Sequence, residues 1–242
     1  KRQPIAQQPL LAYADGGGYL VLFGTGKLIE KADRTSASFA PQSYYAIRDS
    51  LQTPAEIITS RNQLTQRVLG GDPGMPAFSI SGANMAFDSM GWYVDLLQAA
   101  TTGERSIDSG VLAGGEVFFN TLLPGTDACD KARSRTYALN VLTGLAGRDS
   151  VVARLPLPTS VEQPIVGTIS DGYRATPSLL PVTTTRTPRD PTGRARLHKE
   201  LAVANLTPQG AVTVGHVQVQ LRAGRLSWRE VGNWRELHEA AK

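Results

Sequence analysis

The sequence is poor in the residues that build disulfide frameworks and metal sites, with one cysteine and three histidines among 242 residues. Because Cys129 is the only cysteine, no disulfide can form within the chain. We expect its thiol either to be free in a surface loop or to pair with a cysteine outside this segment. The histidines, His198, His216 and His238, have no partner at ligand spacing, so the sequence predicts no metal site.

Long apolar runs are also absent. No stretch approaches the ~20 apolar residues that a membrane-spanning helix requires, so no transmembrane segment is predicted. Residues 1–5 contain neither a start methionine nor the apolar core of a signal peptide. We therefore expect a processed or excised piece of a larger protein.

The charge is only weakly basic, with a net charge of +4 and an isoelectric point near 9.3. Basic residues are scattered except in Arg186–Lys199, a stretch broken by proline and glycine that contains no aromatic residue. Single-strand nucleic-acid sites usually interleave basic and aromatic side chains. This stretch is therefore predicted to be a solvated hairpin tip, and no nucleic-acid partner is expected.

Enzyme signatures are incomplete. Gly24-Thr25-Gly26-Lys27 is similar to part of a phosphate-binding loop, but Val21 and Leu28 stand where that motif needs glycine and a hydroxyl residue. Ser79 and Ser81 lack the glycines of a nucleophile elbow. Asp127 and Asp130 lack the alternating oxygen ligands of a calcium loop. The sequence thus predicts no catalytic residue, cofactor or metal, and it leaves the binding residues unidentified.

Short β-type segments are abundant. Val111–Ala113 and Glu116–Thr121 are apolar runs separated by Gly114-Gly115, a pair that can take positive φ at both positions of a tight hairpin turn. A polar loop over Pro124–Arg133 then leads to a third run, Thr136–Asn140. These runs predict a small antiparallel sheet that needs a second sheet against its apolar face.

The same arrangement occurs earlier in the chain. Leu10–Tyr13, the turn Asp15–Gly18 and Tyr19–Thr25 follow the same pattern, and a polar loop again leads to Tyr44–Asp49. Two such units indicate a radially repeated β architecture. The alternative is that aromatic hairpins recur by chance in an all-β domain.

Further strands and loops are predicted from alternation and turn residues. Gly91–Leu96 alternates Trp92, Val94 and Leu96 against polar neighbours, and Ser60–Gln63 predicts a short helical turn. The other strand candidates are Val151–Leu155, Pro164–Ile169, Ala175–Thr185 and Val212–Leu221. The predicted exposed insertions are Glu30–Gln42, Gly70–Met90 and Arg186–Lys199, and Ser227 with Glu230 predicts a short C-terminal helix beside a buried Trp228.

Several of these motifs, in the same order, resemble the C-terminal domain of the PilC/PilY family of type IV pilus biogenesis factors and tip adhesins. The matching motifs are Val21–Glu30, Gln42–Asp49, Gly91–Leu96, Gly103-Glu104-Arg105, Phe118–Pro124, Asp127-Ala128-Cys129, Tyr137-Ala138-Leu139 with Thr143-Gly144, and Gly224–Glu230. The resemblance implies an all-β, modified β-propeller with long loop insertions and a short C-terminal helix. Residues 1–242 are then one domain piece, the later blades only, because each blade takes about 40–50 residues.

The resemblance also implies a function. It predicts a non-enzymatic module of pilus assembly, tip adhesion and twitching motility, exported to the periplasm, outer membrane, pilus tip or cell surface. The implied partners are minor pilins and host or abiotic surfaces. The calcium loop of some family members has no counterpart in this sequence. The alternatives are a quinoprotein-like propeller dehydrogenase and a purely structural scaffold at the pilus tip.

Overall fold

The computed structural model describes residues 3–35, 40–53, 57–70, 77–86, 89–96, 102–127, 129–147, 154–156, 162–164, 167–186 and 195–223. Within these ranges the chain is all-β, and helix is limited to short pieces such as the 3-10 turns Lys31–Arg34 and Arg61–Gln63. The strands are β1 Leu10–Tyr13, β2 Tyr19–Gly24, β3 Ser43–Asp49, β4 Thr65–Gly70, β5 Ala77–Ser81, β6 Gly91–Asp95, β7 Val111–Ala113, β8 Glu116–Leu123, β9 Arg133–Asn140, β10 Arg154–Pro156, β11 Glu162–Pro164, β12 Gly167–Asp171, β13 Ser178–Arg186, β14 Ala195–Thr207 and β15 Gly210–Ala223.

The predicted repeat is present in the strand topology. Strands β1, β2, β3 and β6 pair in that order as a four-stranded antiparallel unit, the first meander. Strands β7, β8, β9 and β12 pair in the same way as the second meander. Strands β4 and β5 join the two, since β4 runs parallel to β6 and β5 pairs with both β4 and β12.

The hairpins that begin the two meanders form as predicted. Gly114 and Gly115 take φ values of 60° and 82° between β7 and β8, the backbone conformation of a tight hairpin turn. Between β1 and β2, Gly16, Gly17 and Gly18 also have positive φ, and the Gly17 amide donates to the Ala14 carbonyl at 3.3 Å. Glycine at these positions therefore fixes both turns.

The main core lies between the two meanders. Leu22, Tyr44 and Trp92 of the first meander meet Phe119 and Tyr137 of the second in one buried cluster. The Tyr44 and Phe119 rings stack with centroids 3.8 Å apart, and the Phe119 and Tyr137 rings stack at 4.8 Å. These stacked rings bury a large apolar area in the core.

A third sheet, β13–β14–β15, covers the other face of the second meander. Phe118 and Ala138, which alternate with Phe119 and Tyr137, pack against Val203 and Val217 of this sheet. Because both faces of the second meander are covered, every residue of β8 is buried. This double coverage explains why the sequence of β8 shows no polar alternation.

Polar side chains also connect the second meander to the third sheet through hydrogen bonds. Asn120 donates to Asn205 at 2.8 Å, Asn205 donates to Thr136 at 2.8 Å, and Thr136 donates to Asn120 at 2.7 Å. This closed ring satisfies groups that would be costly to bury unpaired. Asn205 begins the sequence Asn205-Leu206-Thr207, which has the pattern of a glycosylation sequon, but its side chain is only 2% exposed and so is inaccessible in the folded chain.

Three sequence-based boundaries are wrong in part. Residues 77–81 of the predicted insertion Gly70–Met90 form β5, inside the main sheet. Ala195–Lys199 of the predicted basic hairpin tip belongs to β14 rather than to a loop. The exposed loop Glu30–Gln42 contains the buried residues Asp33 and Gln42.

Other predictions fall on residues outside the described ranges. These are the C-terminal helix, Trp228, His238, residues 151–153 and 165–166 of the strand candidates, and parts of the three insertions, among them residues 36–39, 71–76 and 187–194. The predicted strands Gly91–Leu96 and Val212–Leu221 are confirmed by β6 and β15. The short helical turn is confirmed at Arg61–Gln63, where Ser60 and Gln63 form a capping box.

Candidate recognition surface

The loops that follow the second strand of each meander lie side by side. The β2–β3 connection contains Lys27–Thr35, and the β8–β9 connection contains Gly125. Thr35 and Gly125 form a parallel β-bridge between these two loops. The internal repeat therefore places equivalent loops at one end of the molecule, where exposed side chains of both are available for recognition.

A buried arginine holds the first of these loops. Arg105 is fully buried, and its backbone pairs with Leu122 of β8. Its guanidinium donates to the backbone carbonyl oxygens of Asp33 at 2.7 Å, Thr35 at 3.3 Å and Lys27 at 3.4 Å. Burial lowers the pKa of Arg105 to about 10, and nearby Asp33 opposes that shift. Arg105 thus links the core of the second meander to three positions in a loop of the first.

The loop is also braced from within. The Asp33 carboxylate accepts hydrogen bonds from the backbone amides of Ile29 and Glu30, both at 2.9 Å. The Lys27 ammonium lies 2.8 Å from Glu30 and 3.6 Å from Asp33. Burial tends to raise the pKa of Asp33, but the two amides together with Lys27 and Arg105 outweigh it and lower the pKa. The backbone of Lys27–Thr35 is therefore held by hydrogen bonds both to Asp33 within the loop and from Arg105 beneath it.

This rigid loop presents apolar side chains to solvent. Ile29 is 79% exposed and Leu28 is 43% exposed. Lys31 and Arg34 are also exposed, and Leu28, Ile29, Glu30, Lys31 and Arg34 line a shallow depression of about 380 Å³. We call Leu28–Arg34 the apolar–basic tip.

Glu104, next to Arg105, lies in a closed polar cluster rather than at the surface. Its carboxylate accepts hydrogen bonds from Thr121 and Tyr137, both at 2.7 Å, and lies 3.3 Å from the Arg135 guanidinium. Burial raises the pKa of Glu104, while Arg135 and the two hydroxyls act in the opposite direction. The side chains of Glu104 and Arg135 have no exposed area, so this carboxylate has no contact with solvent.

The outer face of the first meander carries a second set of aromatic side chains. The Phe23 and Tyr45 rings stack at 5.4 Å, and the Arg61 guanidinium lies 3.9 Å from the centre of the Tyr93 ring. Arg61 also forms an ion pair with Asp95. Phe23, Tyr45 and Arg61 line an open groove of about 330 Å³ together with Gln3, Ile5, Thr25, Ile47, Ile58, Thr59, Ser60 and Leu64.

The described residues contain no group of three or more His, Cys, Asp or Glu side chains able to hold a metal ion. His216 lies 3.2 Å from Glu200 on the exposed part of the third sheet. Cys129 is exposed, in agreement with the surface-loop prediction. Within the same ranges, no helix has the length and apolar character needed to cross a membrane.

Sequence reasoning missed the residues that organise this end of the molecule. Glu104 and Arg105 belong to a motif noted in the sequence, but their partners lie far away along the chain. One available signal was the pair of adjacent opposite charges, Glu104-Arg105, within a motif that resembles one of the PilC/PilY family. Predicting which loop Arg105 holds requires the tertiary structure.

The sequence is similar to type IV pilus biogenesis factors. It is 30% identical over 202 residues to the type IV pilus biogenesis factor PilY1 homolog of Xylella fastidiosa, a match that covers 78% of this chain. It is 30% and 31% identical to PilY1 of two strains of Pseudomonas aeruginosa, over 62% and 61% of the chain. The chain spans only 13% to 15% of the length of these relatives. No family model and no solved structure matches it. The resemblance to PilY proteins that the motifs indicated is thus confirmed.

Proposed function

We propose that this chain is a non-enzymatic module of a type IV pilus biogenesis factor, in which rigid stacked sheets display recognition loops. The observation that carries the proposal is the similarity to PilY1 proteins across most of the chain. The fold supports it, because well-packed sheets with exposed connecting loops are a common way to build a binding module. The proposed partners are minor pilins and a host or abiotic surface, and the proposed location is the outer envelope or the pilus tip.

The absence of catalysis is part of the proposal. Glu104, a carboxylate whose pKa is raised by burial, is enclosed by Arg135, Tyr137 and Thr121. A general acid or base must reach the proton that it transfers, and this one has no exposed area. A dehydrogenase of the quinoprotein type would reveal itself by dye reduction with the purified protein, and we expect none.

We further propose that the stacked sheets are blades of a modified β-propeller. The order of residues in the strands supports a head-to-tail stack. Phe119 and Tyr137 of the second meander face the first meander, and their equivalents in the repeat, Phe23 and Tyr45, face outward. Phe118 faces the third sheet, as its equivalent Leu22 faces the second meander. The two meanders therefore present the same face in the same direction, as blades around an axis do.

The proposed function is tested by removing the chain from its parent protein. An in-frame deletion of residues 1–242 in a piliated strain should lower the number of surface pili, counted by electron microscopy. Protein level is checked by immunoblot, and adhesion and twitching are measured beside pilus number. Normal piliation at normal protein level would refute a role in pilus biogenesis. Loss of adhesion alone would instead restrict the module to attachment.

A further inference from the structure

We propose that the apolar–basic tip, Leu28–Arg34, is a docking element for a protein partner that offers an apolar side chain flanked by carboxylates. This inference rests on the proposed function, since it names the loop and the chemistry through which the module would contact the pilus machinery. It goes beyond the comparisons, which assign no residue of this chain to any contact.

The tip exposes apolar side chains on a backbone that is held by hydrogen bonds. Ile29 is 79% exposed and Leu28 is 43% exposed, at the edge of the depression of about 380 Å³. Large apolar side chains on a mobile loop would lose conformational entropy on binding. On a preorganised loop most of that loss has already occurred during folding, which increases affinity for a partner.

Two buried charged residues hold the backbone of the tip. Arg105 is fully buried and directs its guanidinium to the carbonyl oxygens of Lys27, Asp33 and Thr35. Asp33 is itself 3% exposed and fixes the amides of Ile29 and Glu30. Burying a guanidinium and a carboxylate is costly, and here both fix the backbone beneath an exposed apolar pair. Such an arrangement is expected where a loop must keep one shape to be recognised.

The charged side chains of the loop also favour a particular kind of partner. Glu30 and Asp33 both lie within ion-pair distance of Lys27, whereas Lys31 and Arg34 form no ion pair among the described residues. The cations Lys27, Lys31 and Arg34 outnumber the carboxylates Glu30 and Asp33, so the loop around Ile29 is positive overall, which favours a partner surface with carboxylates around its apolar contact.

The test uses the full-length parent protein in a piliated strain that carries it, with a photo-crosslinking amino acid placed at position 29. The matched control places the same amino acid at position 206, because Leu206 is an exposed apolar residue, 63% accessible, in the third sheet. After illumination, we expect a protein adduct from position 29 and none from position 206. Mass spectrometry of the adduct should identify a pilus component crosslinked in a peptide that contains Asp or Glu.

A double variant tests the charge. Lys31→Glu combined with Arg34→Glu leaves Asp33, Lys27 and Arg105 in place, and it should lower the yield of the adduct about tenfold, the effect of a strong interface contact.

Two single variants test the apolar contact and the anchor of the loop. Ile29→Ser should lower surface piliation or attachment while the protein level stays normal. Arg105→Gln should lower the adduct yield from position 29 as well, because the loop loses its anchor.

Several outcomes would overturn the proposal. These are no adduct at position 29, equal adducts at positions 29 and 206, or a yield that the double variant does not change. Crosslinking to phospholipid, with binding to phosphatidylglycerol vesicles that depends on Ile29, would replace the protein partner by a membrane surface. If deletion of residues 1–242 abolishes pili while position 29 gives no adduct, only this inference fails. If the deletion leaves piliation normal, the proposed function fails as well.

Discussion

Three arginines, Arg67, Arg105 and Arg135, are almost completely buried, and each is stabilised by different partners. Arg67 donates to the carbonyl oxygens of Thr143 and Ala83, Arg105 donates to the Lys27–Thr35 loop, and Arg135 pairs with Glu104. Their common effect is to join segments that are distant in sequence. The buried arginines therefore connect loops and sheets through hydrogen bonds and an ion pair, and their side chains are not part of the molecular surface.

Glu104→Gln tests the importance of the buried ion pair. The amide keeps the size of the side chain but removes the negative charge that lies 3.3 Å from the buried Arg135 guanidinium, so we expect a loss of about 3–5 kcal/mol in the free energy of unfolding. The control is Asp95→Asn, which removes an ion pair to Arg61 whose side chains are 41% and 43% exposed. That change should cost about 0–1 kcal/mol. Urea denaturation of both variants measures the difference, and equal losses would contradict this account of Glu104.

Buried tyrosines predict a loss of stability at alkaline pH. Burial raises the pKa of Tyr44 and of Tyr137 above the ordinary value of 10.0, so their neutral forms are favoured in the folded state. The stability that they contribute is complete below the unfolded pKa and is lost as the pH rises above it. Each tyrosine should lower the free energy of unfolding by about 1.4 kcal/mol per pH unit in that range. Urea titrations at several alkaline pH values should show a shallower decline for Tyr44→Phe, and an unchanged slope would show that Tyr44 ionises in the folded state.

At the scale of strands and turns, the sequence predicts those elements whose structure depends on neighbouring residues alone. The β7–β8 hairpin was predictable because Gly114-Gly115 permits the positive φ values that a tight two-residue turn requires, and β6 because Trp92 and Val94 alternate with more polar residues. Strands β4 and β5 were not predictable in the same way, since Thr65–Gly70 buries Arg67 and Ala77–Ser81 is surrounded by turn residues. Their pairing partners lie in both meanders. Of the apolar–basic tip, only residues 30–34 fell within a predicted exposed insertion, and the fixed shape of the loop was not predictable because Arg105, which holds it, lies in another element.

The turn glycines provide a matched pair of substitutions. Gly114 and Gly115 both have positive φ, so alanine at either position costs roughly 1 kcal/mol in backbone strain. A Cβ at Gly114 would also lie 2.7 Å from the Val217 methyl group and 2.9 Å from the Gln218 carbonyl oxygen, whereas Gly115 has open space. We expect Gly114→Ala to be more destabilising than Gly115→Ala by about 1–3 kcal/mol, since the third sheet must move. Thermal or urea unfolding of the two variants gives the comparison, and equal effects would mean that the turn does not contact β15 in solution.

At the scale of the whole molecule, the two meanders share one stacking relation, each turning its equivalent face toward the sheet packed against it, and the outer face of the first meander is the position where another sheet would continue it. On this outer face the Phe23 and Tyr45 rings stack on each other, as the equivalent Phe119 and Tyr137 rings do in the core. In the core, Tyr44 of the first meander stacks on Phe119. If the chain contributes blades to a larger propeller, this face is covered in the parent protein, and the groove of about 330 Å³ is filled by the neighbouring sheet. The stacking relation could not be predicted from the patterns of single strands. It depends on which face of each sheet packs against the neighbouring sheet, and that is decided by tertiary contacts.

Cysteine labelling tests that relation in a background in which Cys129 and any other free cysteine of the parent are replaced by serine, so that the only reactive thiol is the one introduced. With Phe23→Cys in the full-length parent, we expect slow reaction with a water-soluble maleimide, because a further sheet covers the position. Leu206→Cys serves as the exposed reference and should react rapidly in the same protein, since that side chain is 63% accessible. In the isolated chain the Phe23→Cys thiol should become reactive while the Leu206→Cys rate stays the same. Rapid labelling at position 23 in the folded parent would show that no sheet covers this face, and the first meander would then be an end of the stack rather than one blade within it.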